Sequence, residues 1–223
     1  MFEDSLRLFT RYQDIYFQGL ANTLEAAAIG LVLALIVGGF AGVIRFSSQG
    51  PIGYLVAAYV SIVRNTPMMV QVYFIYFGLP ALGIRMSAFE TGLVALTFNS
   101  GAYIAEIVRG GLAAIPKGQM EASHALGLRR STALRRVLLP QAVPLVLPAI
   151  TGQFVQLIKD TSLLYTISVL ELTQAANEVG NETYSFLEAY MVSWVLYLVV
   201  CIILNILVDF YEKRSGFTRH LRA

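Results

Sequence analysis

Long stretches of this chain run for 15 to 22 residues without a single Asp, Glu, Lys or Arg, among them 26–44, 65–84, 91–105, 137–158 and 189–208. A helix needs about 20 apolar residues to cross the hydrocarbon core of a bilayer, and lipid offers the backbone no hydrogen bonds, so only helices and closed barrels span it. Runs this long predict an all-α integral membrane protein with five transmembrane helices. Allowing for tilt and for polar residues at the ends, the spans are placed at 20–44, 54–79, 86–108, 141–169 and 187–210. Only 13% of the 223 residues are charged, against about a quarter in soluble domains, which excludes a disordered chain and argues against a cytosolic enzyme. A single cysteine, Cys201, rules out a disulfide scaffold. The net charge of +2 is too small to call for nucleic acid.

Ahead of the first span, Glu3, Asp4 and Asp14 and the late start of the apolar run argue against a cleaved signal peptide. Phe2, Leu6, Phe9 and Tyr16 recur at helical spacing among polar residues, which predicts an interfacial helix within residues 1–19, a frayed tail being the alternative. Orientation follows from the Lys and Arg outside the spans. One set of connections holds eleven: Arg45, Arg109, Lys117, Arg129, Arg130, Arg135, Arg136, Lys213, Arg214, Arg219 and Arg222. The other holds three: Arg7, Arg11 and Arg85. The N-terminus is therefore expected outside and the C-terminus in the cytoplasm.

The one long extramembrane segment, 109–140, falls on the cytoplasmic side. Pro116 can open a helix, Glu121 suits its early turns, and Gly127 suits a left-handed cap. A second short helix is expected after Gly127, ending before the series Pro140, Pro144 and Pro148. The remainder of the chain shows no internal repeat and no second domain, so residues 1–223 read as one membrane domain.

Within this loop Glu121, Ala122 and Ser123, then Gly127 after three residues, Val137 after nine more, and finally Leu139 and Pro140 resemble the EAA motif of ATP-binding-cassette importer permeases. The family pattern is EAA, three residues, G, nine residues, I, one residue, LP; this chain differs by Ser123 and Val137. The segments 63–71 (VRNTPMMVQ), 101–111 (GAYIAEIVRGG) and 159–163 (KDTSL) are similar to recurring segments of the polar-amino-acid subfamily. The resemblance implies that the loop is a coupling helix docking on a cytosolic ATPase dimer. It also implies a second permease subunit, identical or paralogous, an extracytoplasmic amino-acid-binding protein, and a place in the bacterial cytoplasmic (inner) membrane. No GxxxxGK[ST] phosphate loop occurs in the chain, so ATP and magnesium are expected on the partner ATPase and no cofactor on this chain.

Ionisable residues inside a membrane are costly and mark function by default. Ser61, Arg64, Met68 and Gln71 form one stripe along the second span; Asn99, Tyr103 and Glu106 form another on the third; Gln153, Gln156 and Asp160 a third on the fourth. A zwitterionic amino acid needs a cation for its carboxylate and a carboxylate for its ammonium. Arg64 and Asp160 can supply that pair, with Asn99, Gln156, Thr161 and Ser162 taking the remaining hydrogen bonds. The competing reading makes Arg64, Lys159 and Asp160 structural ion pairs. Gly38 and Gly42 form a GxxxG that suits close packing, and His124 and His220 are too few and too far apart for a metal site. A stand-alone secondary transporter or channel for small polar solutes is the alternative function. A secondary transporter predicts a larger chain with paired repeats and broken helices, and neither is legible here.

Overall fold

The computed structural model describes residues 2–214; Arg219, His220 and Arg222 lie outside the described residues. Every described element is a helix. Chain order is α1 (Phe2–Arg11), α2 (Gln13–Ser47), α3 (Pro51–Arg64), α4 (Met68–Ala81), α5 (Ala88–Ala113), α6 (Lys117–Ala125) and α7 (Arg130–Ala133). A π-helical turn (Leu134–Leu138) leads into α8 (Leu139–Asp160), which tightens to a 3₁₀ segment (Thr161–Ile167) before α9 (Leu172–Thr183) and α10 (Phe186–Arg214). Four continuous helical stretches, 13–47, 88–113, 130–167 and 186–208, are long and apolar enough to cross a bilayer.

At the centre α2 packs along α5. The buried face of α2 carries Ala27, Gly30, Ala34, Gly38, Ala41 and Gly42, residues small enough to let two backbones approach closely where apolar area alone would not drive helices together. The GxxxG is thus an intramolecular contact. A methyl group on Gly38 would lie 2.7 Å from the Ile104 Cβ, and one on Gly42 2.7 Å from the Val108 Cβ. Overpacking costs about 1–3 kcal/mol even where neighbours can shift, and here the Gly101 carbonyl also stands in the way. Gly38→Leu is expected to abolish the monodisperse peak in fluorescence-detected size exclusion, whereas Gly39→Leu, whose Cβ meets nothing within 4 Å, keeps it.

Three expectations are corrected. The second span is not one helix over 54–79. It breaks at Asn65–Pro67 into α3 and α4, because Pro67 has no N–H to donate and disfavours a helical residue before it. The fourth span is not a separate helix that starts with the proline series. The helix opened at Arg130 runs through Pro140, Pro144 and Pro148, since the π-turn sends the Leu139 N–H to the Leu134 carbonyl and places Pro140 in the first turn of α8, where no donor is missed. The N-terminal helix ends at Arg11, and residues 13–19 belong to α2. Its apolar side (Phe2, Leu6, Phe9) faces Met191, Val192, Val195 and Leu196 of α10.

Candidate functional site

The break between α3 and α4 is held by one side chain. Gln71 on α4 donates through Nε2 to the Val63 carbonyl at 2.8 Å, the Thr66 carbonyl at 3.0 Å and the Thr66 hydroxyl at 2.8 Å, so the carbonyls freed by the missing helical bonds find a donor. Asn65 and Thr66 fold back onto the Ser61 and Ile62 carbonyls at 2.7 and 2.9 Å. The Oε1 of Gln71 accepts from Asn99 Nδ2 at 3.1 Å. Asn99, expected to read substrate, thus also braces the broken helix from α5.

The polar stripe of α5 is real and serves two cavities. The upper, about 370 Å³, is lined by Asn99, Tyr103, Gln153, Gln156 and Asp160 with Thr66 and its neighbours at the break. Gln156 Nε2 donates to Asp160 Oδ1 at 2.8 Å, leaving the other carboxylate oxygen and the Gln156 carbonyl for a ligand. The lower cavity, about 340 Å³, is lined by Arg45, Ser61, Arg64, Tyr103 and Glu106. Arg64 sits here, its guanidinium 5.4 Å from the Tyr103 ring centre and 3.8 Å from Glu106. The structure therefore brings Asn99, Gln156 and Asp160 together and puts Arg64 next door, across Tyr103. Thr161 is fully buried, its hydroxyl donating to the Ile158 carbonyl at 2.7 Å, and Ser162 lines neither cavity. Among the described residues no ion pair joins Lys159 or Asp160 to a partner.

The sequence reading passed over Glu171. It is fully buried and caps α9, accepting from the Thr173 and Gln174 backbone N–H groups and from the Tyr197 hydroxyl. An acid at the start of a helix suits its dipole, and that is the local signal by which Glu171 could have been found.

The coupling segment forms a separate knob. Its small core is Leu112, Ile115, Leu134 and Leu138, against which Met120 and Leu139 pack, and Ser123 is buried. Its hydroxyl donates to the Gln119 carbonyl at 2.7 Å, so a serine in the motif's alanine position leaves no orphaned polar group. Gly127 has φ 74°. The N–H of Gly127 bonds the His124 carbonyl and that of Leu128 bonds the Ser123 carbonyl, which is a Schellman cap. Glu121 and Ala122 are left exposed on the outer face of α6, with Leu126 beyond its end at 80% exposure. Pro140 is exposed at the start of α8, where Gln141 reaches Gln119 at 3.3 Å.

An all-helical membrane chain with a polar path through its helices, an exposed knob at one end and no nucleotide-binding loop of its own is a transporter subunit that another protein drives. The chain belongs to the family of binding-protein-dependent transport system inner membrane components, whose pattern matches residues 20–216. It is 37% identical over 200 residues to a probable glutamine ABC transporter permease, GlnM, of Bacillus subtilis (90% of this chain, 93% of the relative). To the arginine transport system permease ArtQ of the same organism it is 34% identical (88% and 90%). A crystal structure of an amino acid ABC transporter with histidines superposes with TM-score 0.86 at 32% identity (92% and 96%). The MetNI methionine transporter, at 23% identity and TM-score 0.76 (90% and 95%), shares the fold. The chain is a permease subunit of an ABC importer in the inner membrane; it is not an enzyme, and ATP hydrolysis belongs to a separate ATPase. Membership removes the stand-alone transporter or channel as a reading, although the broken helix expected of a secondary transporter is present.

Proposed function

We propose that this chain imports polar amino acids, crossing the membrane five times with α3 and α4 together as the second crossing, its N-terminus outside and its C-terminus in the cytoplasm. At 1.5 Å per residue, 14-residue α3 and α4 each reach about 21 Å, too short alone for a core of about 30 Å. The carrying observation is the upper cavity at the helix break. Irregular backbone at membrane depth is tolerated only where protein or water covers it, and residues 64–67 are exposed on this chain alone. A second permease, identical or paralogous, encloses the break, and the enclosed space is the substrate path. In it Asp160 and Gln156 face the ammonium, Asn99 the polar side chain, and the open N–H groups at the start of α4 the carboxylate, with Arg64 next door across Tyr103. Thr161 stands behind this wall, its hydroxyl on the Ile158 carbonyl at the end of α8, and Ser162 lies outside both cavities.

A cytosolic ATPase dimer carrying ATP and magnesium engages the two knobs through Glu121, Ala122 and Gly127, while Ser123, Leu139 and Pro140 fix each knob to the foot of α8. An extracytoplasmic binding protein delivers the amino acid. The test is ATPase activity of the reconstituted complex with binding protein charged with each polar amino acid in turn. Stimulation of several-fold by one amino acid or a small set is expected. A stable complex that no amino acid stimulates would overturn the substrate class.

A further inference from the structure

Glu106 is the one carboxylate in a cluster of three guanidiniums. Arg109 grips its Oε1 through Nε at 2.9 Å and through Nη2, and Arg45 bonds Oε2. Arg64, at 3.8 Å, stands outside hydrogen-bond distance and rests instead over the Tyr103 ring. Three positive charges against one leave a surplus of two beside a cavity of about 340 Å³ that no other carboxylate lines. Arg45 and Arg109 stand at the ends of their spans and Arg64 at the helix break, and a surplus of positive charge lining a cavity attracts an anion. Both Glu106 oxygens are already hydrogen-bonded, so the anion must come from outside the cluster.

The position says which anion. Asn99, Tyr103 and Glu106 lie at i, i+4 and i+7 on α5, one face of one helix. Tyr103 lines both cavities. Glu106 is seven residues, about 10 Å, from the end of α5 that leads into the knob. The lower cavity is thus next after the upper one on the way to the coupling side.

We propose that the lower cavity is a second station, selective for a carboxylate, where Arg64 and behind it Arg45 take the carboxylate of an amino acid as its ammonium leaves Asp160. The proposal rests on the import reading above. Arg64 is the guanidinium free to move. Glu106 offsets part of the charge, so the carboxylate is held loosely enough to be released.

The probe is glutaramate, which is glutamine without its ammonium and so has nothing to offer Asp160. Its counterpart is 4-aminobutanamide, glutamine without its carboxylate. The full chain with its ATPase, in nanodiscs and without binding protein, carries Trp194→Phe and Tyr103→Trp, so that the indole beside Arg64 reports by fluorescence against a Tyr103→Phe control. Glutaramate is expected to give a saturable change and 4-aminobutanamide none. Arg64→Gln should weaken the response roughly five-fold or more, and Glu106→Gln, which removes the only competing charge, should tighten it roughly three-fold. No saturable response in a complex that still hydrolyses ATP would overturn the station, as would a response that Arg64→Gln leaves unchanged or that the amine reproduces. If glutaramate binds as described while no polar amino acid is taken up, the import reading falls and the carboxylate site stands; uptake without a glutaramate response has the opposite meaning.

Discussion

Gly127→Val is expected to lower uptake to about a tenth of the wild-type rate or less, while the chain still inserts and purifies as a helical protein. Gly127 sits at φ 74° with nothing within 4 Å of an added Cβ, so the penalty is conformational and not steric crowding. An L-residue in the left-handed region costs about 1–2 kcal/mol, and a β-branched one more. The cheapest relief is to undo the two cap bonds, from Gly127 to His124 and from Leu128 to Ser123, which unwinds the last turn of α6. That turn carries Ala122 and follows Glu121 directly. Gly127→Asn, which tolerates the left-handed region, should keep at least about half of the uptake. Glu121→Lys reaches the same end without strain: Glu121 is exposed, so reversing its charge spares the fold and spoils the docking face. Uptake and ATP hydrolysis measured together in proteoliposomes separate these cases. Normal uptake with Gly127→Val and with Glu121→Lys would sink the coupling role of this knob.

The knob was legible because its signals are local. Pro116, Glu121 and Gly127 act within a few residues of themselves, and their spacing needs no knowledge of what packs where. The apolar runs likewise placed the helices, since a bilayer imposes one length on each. What stayed hidden depends on contacts between distant segments or on a change of helical period. Asn65, Thr66 and Pro67 carry a breaking signal, but they lie inside a 20-residue uncharged run, and the Ser61–Arg64–Met68–Gln71 stripe bridged them as if the helix were whole. Gln71 is in fact the residue that repairs the break. Arg64 and Asp160, paired across a single imagined site, are divided by Tyr103. Thr161 and Ser162 follow Asp160 directly in sequence, but the backbone tightens to 3₁₀ geometry at Thr161, a period of 3 residues per turn in place of 3.6, and Thr161 is fully buried. Conversely, Pro140 looked like a helix stop because a π-turn is invisible in a residue pattern.

Glu171→Ala should leave little folded protein, with an effect on the whole end of the molecule where α9 packs. Its carboxylate accepts at 2.8 Å from the Thr173 N–H, at 2.8 Å from the Gln174 N–H and at 2.7 Å from the Tyr197 hydroxyl. Glu171 itself is fully buried beside Leu172 and Ala175, and the residues that carry its three donors are only partly exposed. Leaving a buried donor unsatisfied costs about 1–3 kcal/mol, so even one or two of the three left unmet remove a large share of the 5–15 kcal/mol that holds a typical domain together. The loss spreads because the same corner is tied to two spans. Asn22 and Thr23 of α2 bond Leu170 and Leu172 at 2.6 and 3.1 Å, and Ser193 of α10 bonds the Leu172 carbonyl at 2.6 Å. Glu171→Gln keeps the shape and one carbonyl acceptor but turns an NH₂ toward at least one N–H or hydroxyl, so it should fold with a lowered thermal midpoint. Glu182→Ala is the control: it removes the exposed bond from the Tyr12 hydroxyl at 2.8 Å, a contact that water replaces. Fluorescence-detected size exclusion after a heating series reads all three. If Glu171→Ala melts with the wild type, the carboxylate is not what fastens α9 to α2 and α10, and the apolar contacts of Tyr16, Leu172 and Val179 hold that end of the protein without it.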